Sequence, residues 1–389
     1  MTTHATDPVE DSGGRGPGAL DGVRVIDLTT VLMGPLATRM LADHGADVIR
    51  IDRAEPGTDD IAGLALHIHR NKRSIALDLK SDEGASVMRD LVATADVFVS
   101  NLRADALDRL GLSATELRQR HPALIHCVAN GYGAAGPDAD RAAYDDAIQA
   151  GSGLAALHQR RDGAPAYVPS VIVDKTCSLV MVQAILAALL HRNATGEGQS
   201  IEVPMLETMV SLNLLEHFRH AALDPPTATM GYPRVLARDR RPYRCADGWV
   251  AILPYTGANW QDFFELIDRP ELAEDPRFAT QVSRIEHIDE LYGLVATAAP
   301  RHSVDEWLDL CAERSIPASR IADLEELLDD PQITASGLIE RVVHPTHGPY
   351  RIVHDPVGYD RLDTGLRRHP PAPGEHTAEI LGELGRSAS

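Results

Sequence analysis

Short β-branched runs alternate with helical segments through the first half of the chain. The run VRVIDL from Val23 precedes a helical pattern over Leu36 to His44, and ADVIRI follows from Ala46. SIALDL, ADVFVS and ALIHCV continue the alternation from Ser74, Ala95 and Ala123. Buried parallel strands read as continuous apolar runs and need helical crossovers. The pattern therefore predicts an α/β fold with a large Rossmann-like parallel-sheet domain.

With 389 residues, the chain is long enough for two domains. A stretch from Asp224 to Tyr243 loses periodicity and concentrates proline and arginine, which is typical of a linker. GWVAIL and several helical patterns follow it and predict a smaller α+β domain. The expected organisation is a disordered tail over 1–18, the large α/β domain over 19–222, a linker over 223–242, the small domain over 243–325, and a returning linker and C-terminal part over 326–389 that pack on the large domain.

Composition excludes several classes of function. The formal net charge is −20, which disfavours nucleic acid or an anionic membrane as a partner. The four cysteines are widely spaced and no histidine falls in a metal-binding motif, so no disulfide framework and no metal are expected. The first residues lack the pattern of a signal peptide, and the longest apolar run is too short to span a bilayer. The sequence therefore predicts a cytoplasmic protein.

A single carboxylate, Asp174, stands directly before an apolar helical pattern from Lys175 to Arg192. Aspartate is a favoured helix N-cap, and the positive end of the helix dipole stabilises its ionised form. The sequence leaves two interpretations open, an ordinary cap and a functional carboxylate. Tyr144 and Asp145 begin an earlier helix, where Asp145 is either a first-turn acid or a second active-site carboxylate.

The segment from Gly131 to Gly136 fits G-x-G-x-x-G and follows a predicted strand. A dinucleotide site would lead directly into a helix that binds the pyrophosphate. Here Pro137-Asp138-Ala139-Asp140 follows and adds negative charge, so a glycine-rich turn is the better interpretation.

Basic residues cluster near the carboxyl ends of the predicted strands. They include Arg53, the run from His69 to Arg73, Arg103 and Arg109. Ligands of open α/β sheets bind in the crevice outside these strand ends. The cluster is either a phosphate-binding rim or a set of solvated loops.

Taken together, the motifs resemble those of the family III CoA transferases, which include formyl-CoA transferase and carnitine CoA-transferase, and of the related α-methylacyl-CoA racemases. The resemblance extends from about residue 19 to 385 and depends on the order and spacing of several motifs. These are LDGVRVIDLT, MGP at 33–35, GADVIRID, NKRSIALDLKSDEG, ADVFVSNLRADALDRLGL, the R-x-x-Y-D from Arg141 to Asp145, QAGSG and TGEGQSIEV.

The resemblance implies a catalytic role for Asp174, as the carboxylate that becomes acylated, and active-site positions for Tyr144 and Asp145. It also implies an intertwined, ring-like homodimer, acyl-CoA and a small carboxylic acid as substrates, and no tightly bound cofactor. The positions implied to bind CoA are Arg53, Asn71, Lys72, Arg73, Asn101, Leu102, Arg103, Ala106, Arg109, Leu110 and Tyr132, with the 71–73 loop near the adenine and its phosphates.

Departures from the family pattern bear on the substrate. Leu32 stands where formyl-CoA transferase has a glutamine, and the glycine-rich loop of that enzyme is missing around Arg238 to Arg244, which argues against formyl or oxalyl substrates. Arg103-Ala104-Asp105 replaces the usual Arg-Pro-Gly. Racemases carry a histidine at the position of Tyr144, so a transferase is favoured. A racemase and an inactive CoA-binding protein are the alternatives.

Overall fold

A computed structural model describes residues 16–54 and 63–387 of the chain. Most of the predicted tail, residues 1–15, lies outside the described residues. The chain divides into two compact units. The first comprises residues up to Ser152, Val168–Val210 and the chain from Pro331 onward, and the second comprises Gly153–Tyr167 and Ser211–Asp330.

The predicted parallel sheet is confirmed. It has six parallel strands in the order β3-β2-β1-β4-β5-β6. These strands are β1 Arg24–Leu28, β2 Asp47–Arg53, β3 Lys72–Leu77, β4 Val97–Ser100, β5 Ile125–Asn130 and β6 Ser200–Pro204. Two small antiparallel sheets contain β7 Tyr243–Arg244, β8 Trp249–Ile252 and β9 Ala318–Arg320, and β10 Ile339–His344 with β11 Gly348–Val353.

Helices connect and cover these strands. In the part of the chain before β7 they are α1 Met33–Asp43, α2 Ala65–Ile68, α3 Asp82–Ala93, α4 Ala104–Leu110, α5 Ala114–Arg120, α6 Asp145–Gly151, α7 Leu154–Asp162, α8 Ile172–Thr195, α9 Met205–His217 and α10 Pro233–Leu236. After β8 follow α11 Gly257–Leu266, α12 Gln281–Glu286, α13 Ile288–Ala298, α14 Val304–Glu313, α15 Pro331–Ser336 and α16 Thr377–Glu383. Short 3₁₀ turns occur at Arg219–Ala222, Pro270–Glu274, Ala299–Arg301 and Glu326–Leu328.

The order of the large sheet reverses between β1 and β4. Because connections leave in opposite directions there, a crevice opens at the carboxyl ends of these two strands. Asn101 bridges the two sides, since its side-chain amide donates to the carbonyl of Thr30 at 2.8 Å and accepts from the Thr30 N–H at 3.0 Å. The strand order and this link therefore mark the end of β4 as the position where ligands of such sheets bind.

Apolar residues fill the first unit on both faces of the sheet. On one face, Ile26, Ile49 and Phe98 pack with side chains of α3 and with Ile380 of α16. On the other face α1 lies beside α8. By length and composition α8 is apolar enough to cross a membrane, but the core helix of a folded domain passes the same test. Its buried residues, which include Cys177, Met181 and Ile185, belong to this core.

The second unit has its own core of large aromatic side chains. Trp260, Phe263, Tyr292 and Trp307 pack together behind the β7-β8-β9 sheet. This unit comprises Gly153–Tyr167, which contains α7, and Ser211–Asp330.

The C-terminal part, from Pro331 onward, belongs to the first unit and packs on its sheet. The Ser74 backbone N–H donates to His376, and the Arg70 guanidinium donates to the Val353 carbonyl at 2.7 Å. Ile380 of α16 is fully buried against the sheet. The last strands and helix therefore complete the fold that carries the crevice.

Candidate active site

Asp145 is the residue that caps α8. One oxygen of its buried carboxylate accepts the backbone N–H groups of Val173 at 2.8 Å and Asp174 at 3.0 Å. The other oxygen accepts from the Gln149 amide at 2.6 Å. The helix begins at Ile172, so Asp174 lies in its first turn. The interpretation of Asp174 as the helix cap is therefore wrong, because Asp174 is the third residue of the helix and the carboxylate of Asp145 accepts the first N–H groups instead.

The side chain of Asp174 is half-buried, and within the described residues its carboxylate makes no hydrogen bond. Burial, and secondly the negative charge of Asp145, raise the pKa of Asp174 to about 6. Both effects disfavour the ionised form because they remove water and add like charge. Asp174 is still mainly ionised at neutral pH, and it is a poorly solvated carboxylate with free oxygens.

The first turn of α1 packs against the first turns of α8. The Ser178 hydroxyl lies 2.7 Å from the carbonyl oxygens of both Met33 and Asp174. Leu32 occupies the N-cap position of α1 and supplies no side-chain cap, and in the described part of the chain no side chain accepts from the N–H groups of Met33 and Gly34. Val31 precedes it with φ of 69°, a strained conformation for a β-branched residue.

A buried ion pair stabilises the turn that precedes α1. The Lys72 ammonium is fully buried and lies 2.9 Å from the carboxylate of Asp27, 2.9 Å from the Pro35 carbonyl and 2.8 Å from the Thr38 hydroxyl. The Thr29 N–H donates to the other oxygen of Asp27 at 3.1 Å. Burial lowers the pKa of Lys72 to about 8. The pair therefore fixes both ends of the turn that contains Val31.

The side chains of residues 71–73, the segment expected near the adenine and phosphates of CoA, have polar partners within the protein. Lys72 is paired with Asp27, and the nearly buried Arg73 pairs with Asp47, Glu379 and Glu383. Asn71 donates to Asp43 at 2.8 Å and to the Gly365 carbonyl at 3.1 Å. These polar groups link the sheet to the C-terminal segment.

Exposed basic residues remain at the sheet edge. Arg53 ends β2 and Arg103 precedes α4, and neither guanidinium has a hydrogen bond or ion pair within the described ranges. Arg109 pairs with Asp105 at 2.9 Å on the exposed side of α4. Such a surface pair contributes little stability, so an incoming phosphate can displace it. Leu102, Ala106 and Leu110 are half-buried on or next to this helix.

The glycine-rich segment does not offer a phosphate site. The Gly133 N–H donates to Glu207 at 3.0 Å, and the Ala134 N–H donates to Glu202 at 2.7 Å. A Cβ atom at Gly133 would lie 2.7 Å from the Glu207 carboxylate. Two carboxylates thus occupy the N–H groups that a pyrophosphate would need, in agreement with the interpretation as a turn. Tyr132 is nearly buried, with the Arg141 guanidinium 5.5 Å from its ring centroid.

Tyr144 and Asp145 are neighbours that point in different directions. Tyr144 is 71% exposed, whereas Asp145 is 5% exposed and faces α8. The structure therefore brings Asp145 to Asp174 and leaves the phenol of Tyr144 in solvent. Among residues 16–54 and 63–387, no group of three or more histidine, cysteine or acidic side chains is placed to hold a metal ion.

Sequence reasoning missed Asp27, Gln149 and Val31. The sequence contains one indication of the role of Asp27. It is an acidic residue inside the β-branched run VRVIDL, and a charge buried in a strand needs a partner. Gln149 lies four residues after Asp145, the spacing of side chains that meet on one helix face. The backbone strain at Val31 left no signal in the sequence.

The chain matches a known protein family over most of its length. The model of the CoA-transferase family III matches residues 20–377. The chain is 32% identical to the succinate–glutarate CoA-transferase of Agrobacterium fabrum, over 94% of this chain and 95% of that protein. It resembles the structure of Rv3272 from Mycobacterium tuberculosis, with a TM-score of 0.82 and 30% identity over 94% of this chain and 99% of that one. A CAIB/BAIF family protein from Brucella suis matches with a TM-score of 0.78 and 30% identity, over 95% of this chain and all of that one.

Proposed function

This chain belongs to CoA-transferase family III, and from that premise we propose that it moves CoA from an acyl-CoA donor to a free carboxylic acid through a covalent intermediate on Asp174. The observation that carries the proposal is the environment of the Asp174 carboxylate. Its carboxylate is half-buried, lacks a hydrogen bond within the described residues, and has a pKa raised to about 6. Such a carboxylate is a better nucleophile than a solvated one and is ionised at neutral pH.

The first two steps transfer CoA to the enzyme. An Asp174 oxygen attacks the donor thioester carbonyl, the C–S bond breaks, and CoA leaves as a thiolate. The product is a mixed anhydride between Asp174 and the donor acyl group. The thiolate then attacks the Asp174 carbonyl of this anhydride, the donor carboxylate leaves, and an aspartyl-CoA thioester forms.

The acceptor acid reverses both steps. Its carboxylate attacks the aspartyl thioester and releases CoA thiolate, and the thiolate then attacks the acceptor carbonyl of the new anhydride. Acyl-CoA leaves and Asp174 is regenerated as a carboxylate. No proton is gained or lost overall, so the site needs a stabilised oxyanion more than a general acid.

For the oxyanion we propose the N–H groups at the start of α1. The corresponding groups of α8, at Val173 and Asp174, are bonded to Asp145. Those of Met33 and Gly34 have no side-chain cap, and Ser178 links this turn to Asp174. Asp145 then acts as a positioning residue, because it fixes the backbone of the nucleophile.

We propose that CoA binds along α4 and the sheet edge. Exposed guanidinium groups there suit the phosphates, and the half-buried apolar residues suit the pantetheine chain. The residues are Arg53, Asn101, Leu102, Arg103, Ala106, Arg109, Leu110 and Tyr132. Tyr144 is proposed to face the substrate from solvent. The segment of Asn71, Lys72 and Arg73 is proposed to lie near the adenine and its phosphates, with its side chains paired within the protein.

The acids are proposed to be small carboxylates of the kind named for the Agrobacterium relative, succinate and glutarate. Leu32 is buried and apolar at the crevice, which suits an alkyl chain better than formate or oxalate. We also propose a cytoplasmic homodimer. Leu179 and Leu190 of α8 are 59% and 71% exposed, and burial of such side chains by a second copy would be favourable.

Activity of Asp174→Ala tests the proposal, with Asp146→Asn as the control because Asp146 is an exposed acid in the first turn of α6. Purified variants are assayed with succinyl-CoA and glutarate. The expected result is loss of transfer in Asp174→Ala and full transfer in the control. Exchange of the α-proton of a 2-methylacyl-CoA in deuterated water, without an acceptor acid, would instead indicate a racemase.

A further inference from the structure

A small cavity in the second unit has a basic and aromatic lining. Tyr232, Arg234, Tyr255, Trp260 and Arg284 form part of its wall, and none of the described residues that line it is acidic. Its volume is about 30 Å³. About 10–15 Å³ suffices for one water molecule, so the cavity fits a group of a few atoms.

Arg234 is held in this cavity by neutral partners. Its Nε donates to the hydroxyl of the fully buried Tyr292 at 3.1 Å. Its guanidinium lies 4.3 Å from the ring centroid of Tyr255. Within the described residues, its two Nη atoms make no hydrogen bond or ion pair. The side chain is therefore fixed while its charge is not neutralised.

Arg284 also has neutral hydrogen-bond partners. Its Nη1 donates to the carbonyl of Phe278 at 2.9 Å and lies 3.4 Å from that of Ala279. Its Nη2 and Nε have no hydrogen bond with any described residue. A Cβ atom at Gly257 would lie 3.6 Å from Nη2, so the glycine leaves this face of the guanidinium open.

Several other arginines of this unit, unlike Arg234 and Arg284, have acidic partners. Arg277 pairs with Asp275 and Glu290, and Arg320 pairs with Asp305. The contrast is marked in a chain with a formal charge of −20. Two oriented guanidinium groups without a carboxylate partner leave a positive potential in the cavity, which an anion of matching size would neutralise.

We propose that Arg234 and Arg284 form a binding pocket for one carboxylate group of a small organic acid. Guanidinium groups match the planar carboxylate with paired N–H donors. The pocket goes beyond the proposed transfer reaction, which requires no anion site in the second unit. The carboxylate belongs either to the acid substrate or to a separate organic acid.

Direct binding tests the pocket without turnover. Trp260 lines it, so protein fluorescence is measured during titration with sodium acetate and sodium succinate in the absence of CoA. We expect a saturable change in the native protein. Binding should weaken about tenfold or more in Arg234→Gln and in Arg284→Gln, since each loses a charge-assisted hydrogen bond. Arg277→Gln, whose acidic partners already neutralise it, should bind like the native protein.

Thermal unfolding identifies variants that fail to fold. If a glutamine variant fails to fold, Arg284→Lys is measured in its place. It keeps the charge but loses the paired N–H donors, so its binding should also weaken. Absence of saturable binding by either acid in the native protein would overturn the proposal. Unchanged binding in both glutamine variants, or equally tight binding of inorganic phosphate, would also overturn it.

Steady-state kinetics separates the two sources of the carboxylate. If the acid substrate supplies it, Arg284→Gln raises KM for dicarboxylic acceptors and leaves KM for monocarboxylic acceptors unchanged. If a separate acid supplies it, binding is lost while both KM values stay the same. Because binding is measured without CoA, its outcome is independent of whether Asp174 forms the covalent intermediate.

Discussion

The carboxylate of Asp145 accepts the backbone N–H of Asp174 at 3.0 Å, so one aspartate holds the other in place. Asp145 is buried and accepts three hydrogen bonds, whereas the Asp174 carboxylate has no hydrogen bond within the described chain. Similar residues thus carry different tasks. The helix cap comes from α6, and the side chain in the first turn of α8 keeps the free oxygens that the proposed nucleophile requires.

The pH dependence of transfer should report the raised pKa of Asp174. Burial and the charge of Asp145 raise this pKa to about 6 from an ordinary value of 3.8. Protonation removes the nucleophile, so kcat should fall below about pH 6 instead of below pH 4. The measurement is kcat with saturating substrates across this range. An acid limb near pH 4 would contradict the assignment.

Asp145→Asn should move that acid limb to lower pH. Without the negative charge of Asp145, the pKa of Asp174 falls. The weaker cap should also lower the free energy of unfolding by about 1 kcal/mol. Asp146→Asn is the matched control and should change neither quantity. A profile that keeps its midpoint while only stability drops would assign Asp145 a purely structural role.

Asp174→Asn should stabilise the protein at neutral pH. The folded-state pKa of Asp174 is raised, so the folded protein favours the protonated form, and ionisation costs stability as pH rises from about 4 through 6. We expect the neutral amide to raise the free energy of unfolding by about 1–2 kcal/mol at pH 7, and much less below pH 4. Urea unfolding at both pH values checks this. A variant less stable than the native protein at pH 7 would contradict it.

Lys72→Met should be strongly destabilising. Both members of the Lys72–Asp27 pair are fully buried, and removal of one leaves an unpaired buried charge. The expected loss is about 3–5 kcal/mol, measured by chemical unfolding. The double change Lys72→Met with Asp27→Asn should recover part of this loss. If Lys72→Met unfolded like the native protein and only CoA affinity fell, Lys72 would be a phosphate ligand after all.

Arg103→Ala and Arg109→Ala should weaken CoA binding without affecting stability. Both side chains are exposed, and the pair of Arg109 with Asp105 contributes little. KM for the acyl-CoA donor should rise several-fold in each variant, and the native KM should increase with salt. Arg89→Ala, an exposed arginine on α3, is the control. Equal KM values in the Arg89 and Arg109 variants would argue against the proposed CoA path.

The parts of this structure that depend on local pattern were predictable. The alternation from VRVIDL to ALIHCV predicted the parallel sheet, and the apolar run after Asp174 predicted the long helix α8. The cap of α8 was not predictable, because Asp145 precedes Asp174 by 29 positions. Lys72 similarly looked like part of a solvated basic run, since its partner Asp27 lies 45 positions earlier. Long-range pairing decides whether such a charge is exposed or buried.

The most direct test of the covalent intermediate is mass spectrometry of the peptide that contains Asp174 after turnover. The protein is incubated with succinyl-CoA and glutarate labelled with ¹⁸O in both carboxylates, then digested. The account predicts that labelled oxygen enters the Asp174 carboxylate, and that hydroxylamine added during turnover converts this residue to a hydroxamate. Productive transfer with neither label nor hydroxamate at Asp174 would contradict it.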